Sequence, residues 1–149
     1  RQLPTATPDP GKDTSTTKVD GHVRMTCIAE GPSIGNSDGI VIDVQLAIDR
    51  GWSISPAVKG GWTIPTELEV SLSRGYKVHS ITWPEPRLKR VDGLATSAYE
   101  GSITAQVLVV TDGSSIPDTC EYTVHGSWQA CNSRTGICVR GSTVITSRF

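Results

Sequence analysis

The chain has 149 residues, a formal net charge of −1 and a hydrophobic content of 36%. This length fits one domain, and the lack of a long basic block excludes nucleic acid and anionic membrane surfaces as predicted partners. No apolar run approaches the roughly 18 residues of a membrane span, so we expect no membrane insertion by this segment. The chain opens with a polar stretch that contains neither an initiator methionine nor a signal peptide. We therefore interpret it as a processed piece of a longer protein.

The first 18 residues differ in composition from the rest of the chain. They are rich in threonine and proline and contain almost no apolar side chains. Such a composition is typical of a flexible leader or linker. We therefore predict a leader over residues 1–18 and a single domain over residues 19–149.

Within the domain, apolar and polar residues alternate with the period of β-strands. Residues 38–49 show it most clearly, because one face carries Ile40, Ile42, Val44, Leu46 and Ile48. Further strands are predicted in residues 22–29, 66–73, 76–83, 102–112, 119–131 and 137–147, with residues 102–112 in a central position. We find no helical pattern, so the sequence predicts an all-β fold, an antiparallel β-sandwich.

One connection between predicted strands is unusually long. Residues 84–98 read PEPRLKRVDGLATSA, which is rich in turn-forming and charged residues. Long connections in compact domains are often functional, so this loop is a candidate part of a site.

Cys131 and Cys138 bracket six residues, most of them turn formers, where one predicted strand ends and the next begins. A loop of this length brings the flanking positions opposite each other, at a Cα separation compatible with a disulfide. The spacing alone leaves three interpretations open: a structural staple, a metal clip and a reactive thiol pair.

Cys27 and Cys120 each share a strand face with apolar neighbours and are predicted to point inward. A disulfide between them would join an early strand to a late one and close a long loop, which stabilises a fold more than a short loop does. The alternative is two buried free thiols that behave as small apolar groups.

Other chemistry receives little support from the sequence. A zinc site built from Cys120, His125, Cys131 and Cys138 matches no common ligand spacing, so no metal site is predicted. The three histidines lie in predicted strands without a nucleophile elbow, and no glycine-rich phosphate loop is present. We expect no cofactor.

The second half of the chain resembles the amino-terminal periplasmic domain of the thiol:disulfide interchange proteins DsbD, also called the disulfide bond corrector domain. The resemblance spans roughly residues 41–144 and rests on an ordered set of segments: upstream the Gly51-Trp52 segment after a long strand, then Trp83-Pro84-Glu85-Pro86, Tyr99-Glu100-Gly101, Trp128, Cys131 and Cys138. Cys27 and Cys120 are additional to the family pattern. The resemblance implies an immunoglobulin-like sandwich, in agreement with the strand pattern.

The resemblance also implies a function. A protein-disulfide reductase domain of a larger inner-membrane protein would lie in the periplasm. Through a reversible Cys131–Cys138 pair, it would take electrons from a membrane-embedded redox domain and reduce thioredoxin-like periplasmic proteins, including those that serve cytochrome c biogenesis.

By position in the family, the loop over residues 84–98 would cap the disulfide. The predicted lining and capping residues are Trp128, Leu88, Leu94, Glu85, Asp92 and Arg134. The rival hypothesis is a non-enzymatic immunoglobulin-like binding or spacer module of a secreted protein, in which both disulfides are structural. Susceptibility to a thioredoxin-like reductant separates the two.

Overall fold

A computed structural model describes residues 15–30, 39–56, 64–91, 94–111 and 121–148. Within these ranges the chain forms eleven β-strands and no helix. The strands are β1 (Ser15–Asp20), β2 (Val23–Glu30), β3 (Ile40–Ile48), β4 (Trp52–Ile54), β5 (Glu67–Leu72), β6 (Tyr76–Thr82), β7 (Arg87–Val91), β8 (Leu94–Ala98), β9 (Ser102–Thr111), β10 (Glu121–Asn132) and β11 (Cys138–Arg148).

The strands assemble into two antiparallel sheets and a separate hairpin. The first sheet has the order β1-β2-β3-β9-β6. In the second sheet β11 pairs with β10, and the other side of β10 is shared by β5 and β4, which pair with successive segments of it. Strands β7 and β8 form the hairpin. The fold is an immunoglobulin-like β-sandwich, which confirms the predicted class.

The alternation read from the sequence becomes the core. Every second residue of β3 is buried, and β2 and β10 follow the same pattern. Strand β9 lies between β3 and β6, as its apolar sequence predicted. Burying each large aliphatic side chain contributes about 1.5–3 kcal/mol before the entropy of ordering is subtracted. The core includes Val23, Met25, Ile42, Val44, Leu46, Val107, Val109, Tyr122, Val124 and Ile145.

The two sheets meet closely along β1 and β11. A Cβ added at Gly21 would lie only 2.7 Å from the Cα of Gly141, so both backbones approach within a distance that only glycine permits. Beside this contact, the backbone N–H of Ser142 donates to Oδ2 of Asp20 at 2.8 Å. This close contact between Gly21 and Gly141, the glycine seam, holds the turn between β1 and β2 against the end of the sandwich where β11 begins.

Strand β1 begins inside the segment that the composition assigned to the leader. Residues 15–18 pair with β2, in a register that places Thr17 opposite Thr26. The two hydroxyl groups lie 2.9 Å apart. An edge strand of polar residues carries no apolar alternation, which is why the sequence pattern placed the boundary later.

The long connection predicted over residues 84–98 is largely a hairpin rather than a loop. Its two strands, β7 and β8, flank an Asp-Gly pair at positions 92 and 93, a common two-residue hairpin turn sequence. None of the described residues forms a helix with the length and hydropathy needed to cross a bilayer.

Candidate functional site

The β10–β11 hairpin ends in a cysteine pair. The register of the two strands runs from Glu121 opposite Arg148 to Cys131 opposite Cys138. The two cysteines form a disulfide, and their Cα atoms are 4.0 Å apart. The predicted cross-strand placement of these cysteines is therefore confirmed, and the bond closes the last rung of the hairpin.

The loop that joins the two cysteines, the cysteine loop, is held in shape by hydrogen bonds to Asn132. Its side-chain Oδ1 accepts hydrogen bonds from the backbone N–H groups of Arg134 and Thr135, at 2.9 and 3.0 Å. Its own N–H donates to the carbonyl oxygen of Ile137 at 2.8 Å, and its carbonyl accepts from Gly136 at 2.9 Å. Gly136 has a φ of 76°, a conformation that glycine adopts without steric cost. A short polar sequence thus forms a hydrogen-bonded turn.

The two sulfur-bearing residues differ in exposure. Cys131 is half-buried and pairs on its second side with Ser53 of β4, whereas Cys138, the first residue of β11, is exposed. Both lie on the face of the sheet opposite the core, because the neighbouring Ala130 is fully buried. A thiolate in solution can therefore reach Cys138 without the core opening.

A turn between β3 and β4 lies against the cysteine loop. The carbonyl oxygen of Gly51 accepts from the backbone N–H of Ser133 at 3.0 Å and from its Oγ at 3.3 Å. Trp52 pairs with Asn132, and its ring stacks on that of His22 with the ring centroids 3.8 Å apart. Sequence reasoning missed this support, because strand alternation does not show which turns meet in space.

Trp128 lies on the other face of the sheet from the disulfide. Only 2% of its surface is exposed, and its indole Nε1 lies next to the glycine seam of Gly21 and Gly141. Successive residues of a strand point to opposite faces, so Trp128 faces the core while Cys131 faces away. This placement differs from the predicted lining role beneath the pair.

The β7–β8 hairpin is anchored near the disulfide at its base. Tyr99 and Ile54 exchange backbone hydrogen bonds of 2.8 and 3.0 Å, which sets the chain after β8 beside β4. The Tyr99 hydroxyl donates to the carbonyl of Pro84 at 2.8 Å, and its ring stacks on that of Trp83. The base of the hairpin is therefore separated from Cys131 only by β4.

Two of the predicted capping residues, Leu88 and Glu85, are exposed side chains. Leu88 is 73% exposed, which is not the burial expected of a side chain packed on a disulfide. Glu85 is also exposed. Asp92 and the side chain of Leu94 lie outside the described residues. A shielding role for this hairpin stays a prediction.

The arginine predicted inside the loop lies in solvent. Arg134 is exposed and contributes its backbone N–H to the Asn132 turn. Arg140 pairs with Gln129 two residues beyond the disulfide, and by strand alternation it shares the outward face with the cysteines. Both cationic residues are thus close in sequence and fold to the disulfide.

Cys27 is fully buried in the middle of β2, as predicted, but it is a free thiol, so the predicted Cys27–Cys120 disulfide is not formed in the structure. Burial raises the pKa of the Cys27 thiol to about 12. Cys120 itself lies outside the described residues.

Alternation along a strand predicts which face a residue occupies, and Cys27 does face the core. The pattern carries no information on which residues lie opposite each other across the two sheets.

Within the ranges that the structure describes, no cluster of three or more His, Cys, Asp or Glu side chains is arranged to hold a metal ion. The candidate zinc set included Cys120, which lies outside those ranges. Among the residues that the structure describes at this end of the hairpin, the group with chemistry to offer is the disulfide between Cys131 and Cys138.

A family model for the N-terminal region of the thiol:disulfide interchange protein DsbD matches residues 33–148. The chain belongs to this family. The DsbD N-terminal family is one of thiol:disulfide interchange, which is the chemistry that the bonded cysteine pair can carry. The resemblance stated from the sequence is confirmed.

Two solved structures are similar to this chain. The N-terminal periplasmic domain of ScsB from Proteus mirabilis aligns with a TM-score of 0.56 and 16% identity, over 85% of this chain and 46% of that one. The DsbD N-terminal domain of Neisseria meningitidis in the reduced form aligns with a TM-score of 0.47 and 12% identity, over 76% and 82%. The chain thus spans about half the length of the ScsB domain, a likeness of fold alone. No curated protein sequence matches it.

Proposed function

We propose that this domain is a protein-disulfide reductase that works through the Cys131–Cys138 pair. It acts as one domain of a larger protein in the periplasm, where it takes electrons from a membrane-embedded redox domain and reduces thioredoxin-like proteins. Family membership supports this proposal. The observation that carries it is the exposed Cys138 in a disulfide that closes the end of a hairpin.

The difference in exposure determines which of the two sulfur atoms is attacked when the domain is reduced. A donor thiolate attacks Sγ of Cys138, and Cys131 leaves as a thiolate. The donor's second thiolate then attacks the donor sulfur of the mixed disulfide and releases Cys138. Two electrons pass to the domain, and the thiolates take up two protons from water. The half-buried Cys131 is the leaving group because an attacker reaches Cys138 first.

Reduction of the acceptor runs through the same sulfur atoms in the opposite direction. The Cys138 thiolate attacks the acceptor's disulfide and displaces one acceptor thiolate. Cys131 then attacks Sγ of Cys138, which re-forms the intramolecular disulfide and releases the second acceptor thiolate. The acceptor gains the two electrons that the domain loses. The resolving step needs the two cysteines to stay opposite each other, as the hairpin register places them.

A redox titration tests the proposal. The domain is equilibrated with glutathione mixtures, and free thiols are counted by mass spectrometry while circular dichroism follows the fold. We expect Cys131 and Cys138 to become thiols together in a domain that keeps its β-sheet signal. If the bond opens only as the domain unfolds, the reductase proposal fails and the immunoglobulin-like binding or spacer module replaces it.

A trapping experiment tests the order of attack. With Cys131→Ser, the remaining Cys138 thiolate forms a mixed disulfide with an oxidised thioredoxin-like protein, and the serine that replaces Cys131 cannot resolve it, so a covalent complex accumulates. Cys138→Ser is the matched variant, and it retains only the half-buried thiol. More complex with Cys138→Ser than with Cys131→Ser would reverse the assigned roles.

A further inference from the structure

We propose that His22 and Trp52 are positioning residues for disulfide exchange: their stacked rings hold the start of the cysteine loop, so that the two thiols stay opposite each other after the bond opens. This inference rests on the proposed function and assigns a role to two residues that touch neither sulfur atom in the described contacts. Three linked sets of contacts carry it.

The first contacts fix the histidine. The ring planes of His22 and Trp52 are inclined by only 10°, and their centroids are 3.8 Å apart. Nδ1 of His22 lies 3.1 Å from Oδ2 of Asp49, and the Asp49 N–H donates to the His22 carbonyl at 2.9 Å. The histidine backbone has a φ of 64°, a region that L-residues seldom occupy. Backbone and side chain together hold the imidazole against the indole.

The second contacts join the tryptophan to the loop. The Trp52 N–H donates to the Asp49 carbonyl at 3.0 Å, which closes the turn that contains Gly51. The Gly51 carbonyl accepts from both the N–H and the hydroxyl of Ser133, the first loop residue after β10. Trp52 also pairs directly with Asn132. The stacked turn thus contacts the loop at two consecutive residues.

The third contacts pass through the loop to the second cysteine. Asn132 binds the N–H groups of two loop residues through its side chain, and its own N–H binds the carbonyl of Ile137. Ile137 directly precedes Cys138. When the covalent bond is open, these hydrogen bonds and the stacked turn determine how close the two thiols remain.

The effective concentration of one thiol at the other sets two measurable quantities. It sets the equilibrium between dithiol and disulfide, and it sets the rate at which a mixed disulfide is resolved. Removing the ring stack should therefore shift the equilibrium toward the dithiol by about three- to tenfold, the factor expected for an aromatic contact. A tenfold shift is a change of about 30 mV toward a less negative reduction potential.

The test compares four variants of the whole domain. His22→Asn removes the ring and retains a residue type that tolerates a positive φ. Trp52→Leu removes the stacking surface, and Trp52→Phe restores an aromatic ring. His79→Asn is the matched control, because His79 is an exposed histidine in β6, in the sheet that does not contain the cysteine hairpin. Each is titrated against glutathione. Each dithiol is also mixed with 5,5′-dithiobis(2-nitrobenzoate), which releases one coloured thiolate on attack and a second on resolution.

We expect His22→Asn and Trp52→Leu to favour the dithiol by about three- to tenfold and to delay the second thiolate release. His79→Asn should match the unmodified domain in both measurements. Trp52→Phe should give values closer to those of the unmodified domain than Trp52→Leu does. Unchanged equilibria and second-release rates in both ring-removing variants would overturn the inference. So would an equal loss of unfolding free energy in the oxidised and reduced forms, which is the mark of general destabilisation. If Trp52→Leu fails to fold, His22→Asn decides. A failure of the unmodified domain to exchange would instead refute the proposed function.

Discussion

The three cysteines that the structure describes occupy two contrasting environments. Cys27 points into the core from the middle of β2, with neighbouring strands on both sides of it. Cys131 and Cys138 lie on the outward face of the other sheet, at the end of a hairpin. The same side chain is a buried apolar group in one place and an accessible sulfur in the other. Sheet face and distance from the strand end decide which of the two it becomes.

The two environments should differ most in the rate of thiol–disulfide exchange. Cys138→Ser should lower the rate of thiol–disulfide exchange at least about 10³-fold, because no intramolecular disulfide can then form. Cys27→Ala should stay within about a factor of two of the unmodified domain, since the buried thiol takes no part in exchange. The two-step release from 5,5′-dithiobis(2-nitrobenzoate) measures both. A large loss of exchange rate in Cys27→Ala would contradict the distinction between the buried thiol and the accessible pair.

The next difference lies in the response to alkaline pH. Burial raises the pKa of Cys27 to about 12 in the folded domain, while in the unfolded chain a cysteine titrates near its ordinary value of about 8.5. Above pH 8.5 the unfolded state loses this proton and the folded state keeps it, so the free energy of unfolding falls as pH rises. The loss is at most about 1.4 kcal/mol per pH unit up to pH 12.

Urea denaturation at pH 8, 9 and 10 measures this loss. Cys27→Ala is the control, because it retains every other titrating group and lacks the buried thiol. The unmodified domain should lose stability more steeply with pH than the variant. Parallel slopes would mean that the thiol is not held protonated by burial.

A smaller effect is expected from opening the Cys131–Cys138 bond. Its cysteines are separated by 7 positions in the chain, and in the chain-entropy account a loop of this size stabilises the fold by about 2.5 kcal/mol. Mild reduction should lower the free energy of unfolding by up to this amount and leave the sandwich folded. Equilibrium urea curves of the two redox forms measure the difference. Complete unfolding on reduction would identify the bond as a structural staple.

Much of the fold follows from alternation, because a sheet with one buried face imposes a period of two on its sequence. Residues 40–48 show this, since the apolar set read from the sequence is the set that is buried. Alternation fails where both faces of a strand are exposed. Strand β1 is such a case, because its described side chains at positions 17–20 are all exposed, and its Thr and Lys residues resembled a linker.

The site was partly predictable for a related reason. Cys131 and Cys138 flank a turn sequence, so their meeting is a local property of one hairpin. Trp128 was misplaced beneath them because its position three residues earlier puts it on the opposite face. The stack of His22 on Trp52 joins two turns that are distant in the chain, and no local pattern reports such a contact.

The short chain separation of Cys131 and Cys138 has a consequence for how the molecule folds. Closing a loop of about ten residues takes on the order of 10–100 ns, and a hairpin forms in roughly 1–10 μs. Joining β3 to β9 must instead bring together segments more than fifty residues apart, which is slow because the entropy of closure precedes the gain from contacts. We expect the cysteine hairpin to form early in folding, so that the sulfur pair can be oxidised before the sandwich around it is complete.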